Sequence, residues 1–245
     1  MTEVPQSGSG VLPLGFESET MAGAVITIDF DGEPATLLHR FSATEVSCES
    51  TGSDPDQGFT ARYTSARLPD GSRAIHFIKP EPQGPEYVTL LLNSSGTAAL
   101  AACHRFEPKK PSVRSQLIII RGAVGTSFSF ANLSDFPLWD PPPRTLLFRD
   151  SHGPGTVEGN FSKAGHLTRW QTHAPASWGT GLASGRLLAL SPQIAVLPWA
   201  GRTAAGTLLL DREHLTYWGM TLPAELPLSP SLRQVQGSLQ GWDEA

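Results

Sequence analysis

Apolar residues in this chain fall in short runs separated by polar, Gly- and Pro-bearing stretches, and no segment sustains the spacing of an amphipathic helix over three turns. The run VITIDF at residues 25–30, rich in β-branched residues and followed by Asp31-Gly32, predicts a strand and a turn. TLLHRFS (36–42) predicts the next, and the polar stretch CESTGSDPDQG (48–58) a loop before FTARYTSARL (59–68). Leu68-Pro69-Asp70-Gly71 turns into RAIHFIK (73–79), and EYVTLLLN (86–93) turns at Ser94-Ser95-Gly96 into TAALAACHRF (97–106). SQLIIIRGAV (115–124) reads as a buried strand closing the first half. The second half predicts RTLLF, TVEGNFS, HLTRWQTH, GRLLALS, QIAVLPWA, AGTLLLD and LTYWGM, with PAELPLSPSLRQVQGSL forming single turns at most. Short strands at regular spacing argue for an all-β sandwich or barrel.

The pattern is also written twice. Arg67-Leu68 matches Arg186-Leu187 and Ile75 matches Ile194 at a spacing of 119 residues; Thr89-Leu90-Leu91-Leu92 matches Thr207-Leu208-Leu209-Leu210 at 118. Phe41-Ser42 falls on Phe161-Ser162, and Val25–Phe30 on Thr145–Asp150, at 120. A period of about 119 residues is the size of a small domain rather than of a solenoid unit or propeller blade, so a whole lobe is duplicated. The reading is an arm over 1–15, a first lobe over 16–134 and a second over 135–245. The boundary lies near Asp135, where DPPPR supplies a stiff connection that cannot join a ladder.

Composition narrows the function. Charged residues make up 17% of the chain, the net charge is -5, and Lys109-Lys110 with Arg114 is the densest basic spot, which argues against nucleic acid as a partner. The 24 Gly and 21 Pro suit many strands joined by turns. No run approaches the roughly 20 apolar residues that cross a bilayer, and the N-terminal stretch reads as an arm rather than a signal peptide, so the expected location is the cytoplasm, with no membrane partner. Cys48 and Cys103 read as reduced, buried thiols rather than a disulfide or metal site. Nucleotide-loop, nucleophile-elbow, zinc-helix and paired C-x-x-C motifs are all absent, so no cofactor and no metal are expected. The oligomeric state stays open, a homodimer included.

The order of a strand, a DG turn, Phe-Ser, a long loop, a strand ending Phe77-Ile78-Lys79 and then VTLLLN resembles the N-terminal half of MoaF-like proteins, the molybdenum cofactor biosynthesis protein F family. Trp170, Gly181-Leu182, a strand ending in Trp199 and GTLLLD closing on Gly219 resemble that family's C-terminal half, so the likeness spans about Phe16 to Met220. It implies a duplicated lipocalin-like (calycin) antiparallel barrel whose interior can hold one small apolar ligand. The chain departs from the family at Val157-Glu158-Gly159, where relatives tend to carry Tyr-Glu-His, and at Ala200-Gly201-Arg202, where they tend to follow the Trp with Arg-Glu. Both changes point to a more apolar ligand.

Aromatic residues concentrate in the second lobe at Trp170, Trp178, Trp199, Tyr217 and Trp218, and as a group they predict a pocket for a hydrophobic or conjugated molecule, although core packing explains each ring singly. Strand alternation puts His166, Thr168 and Trp170 on one face and Arg169, Gln171 and His173 on the other. Candidate catalytic residues are Glu158, whose pKa would rise in an apolar lumen, His76, Tyr63 and His166; the bland readings of the first three are a surface strand residue, a satisfied structural histidine and a buried barrel-edge tyrosine, and the face of Gln171 and His173 opposite His166 reads as solvated. Trp170, Trp178, Trp199, Tyr217, Phe77, Phe161 and Arg169 are the candidate substrate-binding residues. The expectation is a cofactor-independent isomerase, cyclase or lyase acting on a polyketide- or terpenoid-like molecule of secondary metabolism, with a non-catalytic lipocalin-type carrier as the alternative and an interaction protein with solidly packed lumens as a third reading.

Overall fold

The structure, a computed structural model, describes residues 12–31, 36–51, 58–81, 85–106, 115–125, 136–151, 155–173, 183–201, 204–223 and 232–242. Among them the chain is all β. The first sheet comprises β1 (Glu17–Ser18), β2 (Val25–Phe30), β3 (Thr36–Phe41), β4 (Glu45–Ser50), β5 (Phe59–Arg67), β6 (Arg73–Lys79), β7 (Glu86–Leu92), β8 (Ala98–Phe106) and β9 (Ser115–Val124). The second comprises β10 (Thr145–Asp150), β11 (Thr156–Phe161), β12 (His166–His173), β13 (Ala183–Arg186), β14 (Leu188–Ala189), β15 (Ile194–Gly201), β16 (Ala204–Asp211), β17 (Thr216–Pro223) and β18 (Arg233–Gln240).

Each sheet is an antiparallel meander that closes on itself, through β2–β9 and β5–β6 in the first and through β10–β18 and β13–β15 in the second. The result is two closed eight-stranded barrels. The short β1 pairs with the end of β5 that β4 leaves open, and β14 adds to β15 in the same minor role. Closure removes the exposed edges that an open sheet of this size would present.

The circular order equates β2 with β10, β3 with β11 and so on to β9 with β18, which is the duplication read from the sequence. Interior-facing Phe41 and Phe161 keep the 120-residue spacing. The β6/β15 match shifts. Ile75 pairs with Leu90 and Leu197 with Leu208, so Ile75 corresponds to Leu197, 122 residues on, rather than to Ile194, and His76 corresponds to Pro198. The physical cause is the longer β13–β15 connection, which carries β14, followed by a tighter link between β15 and β16.

Three strands escaped the sequence reading: the short β1 lies ahead of the first strand expected, β4 runs into the stretch expected to be a loop, and β18 falls largely within the segment expected to form single turns.

Side chains alternate across each barrel wall. Ile75, Phe77, Val88 and Leu90 face the first lumen, and Phe148, Trp170, Leu197, Trp199 and Tyr217 the second. A third apolar cluster lies between the barrels, where the outer faces of β6, β7 and β8 (Ala74, Tyr87, Leu91, Leu100) meet those of β15, β16 and β17 (Val196, Leu209, Trp218, Met220). Phe136, ahead of β10, joins this seam, and its carbonyl accepts a hydrogen bond from Arg121 of β9 at 2.9 Å.

Candidate functional site

The aromatic residues expected to line a pocket lie inside the second barrel, in contact with one another. Trp170 stacks on Trp199 with centroids 4.9 Å apart and 20° between the planes; Phe148 leans on Trp170 at 5.2 Å and meets Tyr217 edge-on at 5.4 Å. Trp139 and Trp242, set edge to face at 5.2 Å, belong to the same cluster, as does Phe161. Offset and edge contacts of this kind are how large rings pack a core. Gly159 makes the arrangement possible, since a Cβ there would stand 3.0 Å from the Trp170 ring. Trp178 lies outside the described residues.

The other candidates go to separate places. Glu158 is half-buried on the outer face of β11, between the inward-facing Val157 and Gly159, and accepts a hydrogen bond from Asn160 at 2.9 Å. A register shift between Asn160 and Phe161 leaves Thr168 outside the strand pairing, its hydroxyl donating to the Asn160 carbonyl at 3.0 Å, so Leu167 and Trp170 both face inward. That bulge overturns the face assignment expected for β12: His166 does not share a face with Trp170, and Arg169 is exposed. Phe77 packs in the first lumen, stacked on Phe59 at 5.8 Å. Tyr63 meets Phe41 edge-on at 5.3 Å; its hydroxyl donates to the Ser42 carbonyl at 2.9 Å and accepts from the Met21 N–H at 3.1 Å.

His76 sits in the seam, in a buried polar network whose five polar side chains lie in the walls of both barrels. Its Nδ1 is 2.9 Å from the Tyr87 hydroxyl and 3.0 Å from Thr89 Oγ1, and Thr89 donates to Tyr87 at 2.7 Å. Tyr87 also bonds Thr207 of the second barrel, and Thr207 lies 3.2 Å from His104 Nε2. Trp218 stands edge-on to His76 at 5.0 Å. Burial lowers the pKa of both His76 and His104 from 6.5 to about 3, so both are neutral, and burial raises that of Tyr87. Whichever tautomer is present, His76 Nε2 and His104 Nδ1 lack a partner among the described residues. The network joins the lobes through Tyr87, Thr207 and His104.

An opening does exist at one end of the first barrel, where sequence reasoning did not look. A cleft of about 360 Å³ is floored by Met21, Ile26, Leu92 and Val124, which belong to the lumen cluster, and edged by Ala24 and Gly96. The segment linking β1 to β2 runs across this end, tied down by Glu19 N–H to the Ser65 carbonyl (3.3 Å), the Ser65 hydroxyl to the Glu19 carbonyl (2.6 Å) and Gly23 N–H to the Phe41 carbonyl (2.9 Å). Arg73 opens β6 and shares the inward parity of Ile75 and Phe77, which puts its guanidinium at the mouth. Its Nε donates to Glu19 at 2.9 Å. The only sequence signal for this site was the alternation that places Arg73 on the inner face, and a strand-terminal arginine usually reads as solvated.

Among the described residues no group of three or more His, Cys, Asp or Glu side chains gathers as metal ligands, and no helix is long and apolar enough to cross a membrane. No protein-family model matches the chain, and no curated protein matches it.

Proposed function

We propose that this protein binds a small, largely apolar molecule at the mouth of its first barrel and holds it without turnover. The observation that carries this reading is the cleft itself: about 360 Å³, with Met21, Ile26, Leu92 and Val124 of the lumen cluster as its floor and the Arg73–Glu19 pair at its rim. Small-molecule sites are concave, mostly apolar, and roughly 300–1,000 Å³ in volume. The carrier alternative is favoured over the isomerase, cyclase or lyase because Glu158, His76, Tyr63 and His166 stand apart and none of them lines the cleft. Acid–base catalysis needs a titratable group within hydrogen-bond reach of the reacting atom, and the carboxylate among the cleft's lining residues, Glu19, is engaged by Arg73 at 2.9 Å. The ligand class expected from the sequence, a hydrophobic metabolite of the polyketide or terpenoid kind, and the barrel architecture implied by the resemblance to MoaF-like proteins are both compatible with this site.

The test is equilibrium binding of the neutral fluorescent probe N-phenylnaphthylamine to the wild type and to Ala24→Phe, which fills the mouth. Saturable binding that Ala24→Phe weakens by about tenfold or more supports the reading. All six tryptophans lie in the second half of the chain. Binding that quenches tryptophan emission strongly and survives Ala24→Phe would instead place the ligand among the rings of the second barrel.

A further inference from the structure

We infer that the ligand of the first-barrel mouth carries a carboxylate, and that Arg73 receives it; this rests on the binding site proposed above. Arg73 presents five N–H donors in a planar fork. In the structure only Nε is engaged by a side chain, by Glu19 at 2.9 Å, and the terminal nitrogens have no partner among the described residues. The arginine side chain is 36% exposed and lines the cleft, so those donors are available at its rim while Met21, Ile26, Leu92 and Val124 form the floor.

Glu19 fixes the fork rather than blocking it. Its backbone is anchored to Ser65 through both its N–H and its carbonyl, and its carboxylate reaches Arg73 from the Nε edge. The terminal edge of the guanidinium, with two parallel N–H bonds, is the geometry that matches a carboxylate. An apolar tail on the floor and an acid at the rim would satisfy both halves of the cleft. A neutral alcohol would leave most of the fork's donors without a strong acceptor, and an amine would meet the Arg73 charge with Glu19 as its sole anionic partner in the lining, a carboxylate already engaged by Arg73 Nε.

Displacement of N-phenylnaphthylamine by octanoate, octanol and octylamine decides the matter. Octanoate is expected to bind about tenfold or more tighter than octanol, with octylamine weakest. Arg73→Met keeps the alkyl stem and is expected to abolish the preference while retaining octanol binding. Arg73→Lys keeps the charge without the fork and is expected to reduce the preference severalfold. Equal binding of acid and alcohol, or a preference that persists unchanged in Arg73→Met or in Arg73→Lys, overturns the carboxylate inference and leaves the binding site standing. Failure of the probe and of all three competitors to bind overturns the binding site itself.

Discussion

Acidification from pH 7 to pH 5 should weaken the protein through its seam. His76 and His104 are fully buried between the barrels, and burial alone holds each pKa near 3 against 6.5 for a solvated histidine. A depressed histidine pKa means that the unfolded chain takes up protons that the folded one refuses. Stability is therefore complete above about pH 6.5 and is lost as pH falls towards 3. Integrated between pH 7 and pH 5, the difference is about 2 kcal/mol for each histidine, or about 4 kcal/mol for the pair. That is a large share of the roughly 5–15 kcal/mol by which folded domains are stable. Among the groups packed against the two rings, Tyr87, Thr89, Thr207 and Trp218, no carboxylate compensates the charge. The window stays above the range in which ordinary carboxylates titrate. His39, buried in the first barrel with its pKa lowered to about 4, adds to the slope in the same sense. The assay is the urea unfolding midpoint at pH 7, 6 and 5 for the wild type and for His76→Gln/His104→Gln. The wild type should lose several kcal/mol over that range, and the double variant less than half as much. Equal stability at pH 7 and pH 5, or the same pH slope in both proteins, would refute the reasoning.

Other perturbations follow from the same contacts. Thr207→Val deprives His104 and Tyr87 of a partner across the seam and should cost about 1–3 kcal/mol in a denaturant titration. Gly237→Ala drives a methyl into the Arg149 carbonyl oxygen, between β10 and β18, and should lower stability by about 3 kcal/mol or more, read as a fall in Tm. Trp199→Ala empties the stack against Trp170 and should cost about 3–5 kcal/mol, measured by urea unfolding followed by circular dichroism. Tyr63→Phe removes the hydroxyl that holds Met21 and Ser42; it should cost about 1 kcal/mol in a urea titration and weaken binding of N-phenylnaphthylamine at the mouth.

Much of the architecture was legible because barrels impose a period of two on their strands and duplication repeats it. The matches of Phe41 to Phe161 and of Val25–Phe30 to Thr145–Asp150 fall on equivalent strands. Strands of weak hydrophobicity were harder: EVSCES contributes only Val46 and Cys48 to the interior side, and RQVQGSLQ only Val235 and Leu239, so both look polar in the sequence. The face of His166 was misread because a bulge adds a residue to one strand without any mark in composition. Aromatic enrichment in the second half was visible, but a ring that packs a lumen and a ring that lines one have the same sequence signature. The cleft depends on how the β1–β2 connection crosses the barrel end, a tertiary arrangement that no spacing in the chain encodes.

The most direct measurement is a two-dimensional amide NMR titration of the isotopically labelled protein with octanoate. Binding at the first-barrel mouth predicts saturable shifts centred on Met21, Ala22, Ala24, Leu92, Gly96 and Val124, with the indole signals of Trp170 and Trp199 unmoved. Shifts centred on those indoles, or a spectrum that does not change at saturating octanoate, would contradict the account.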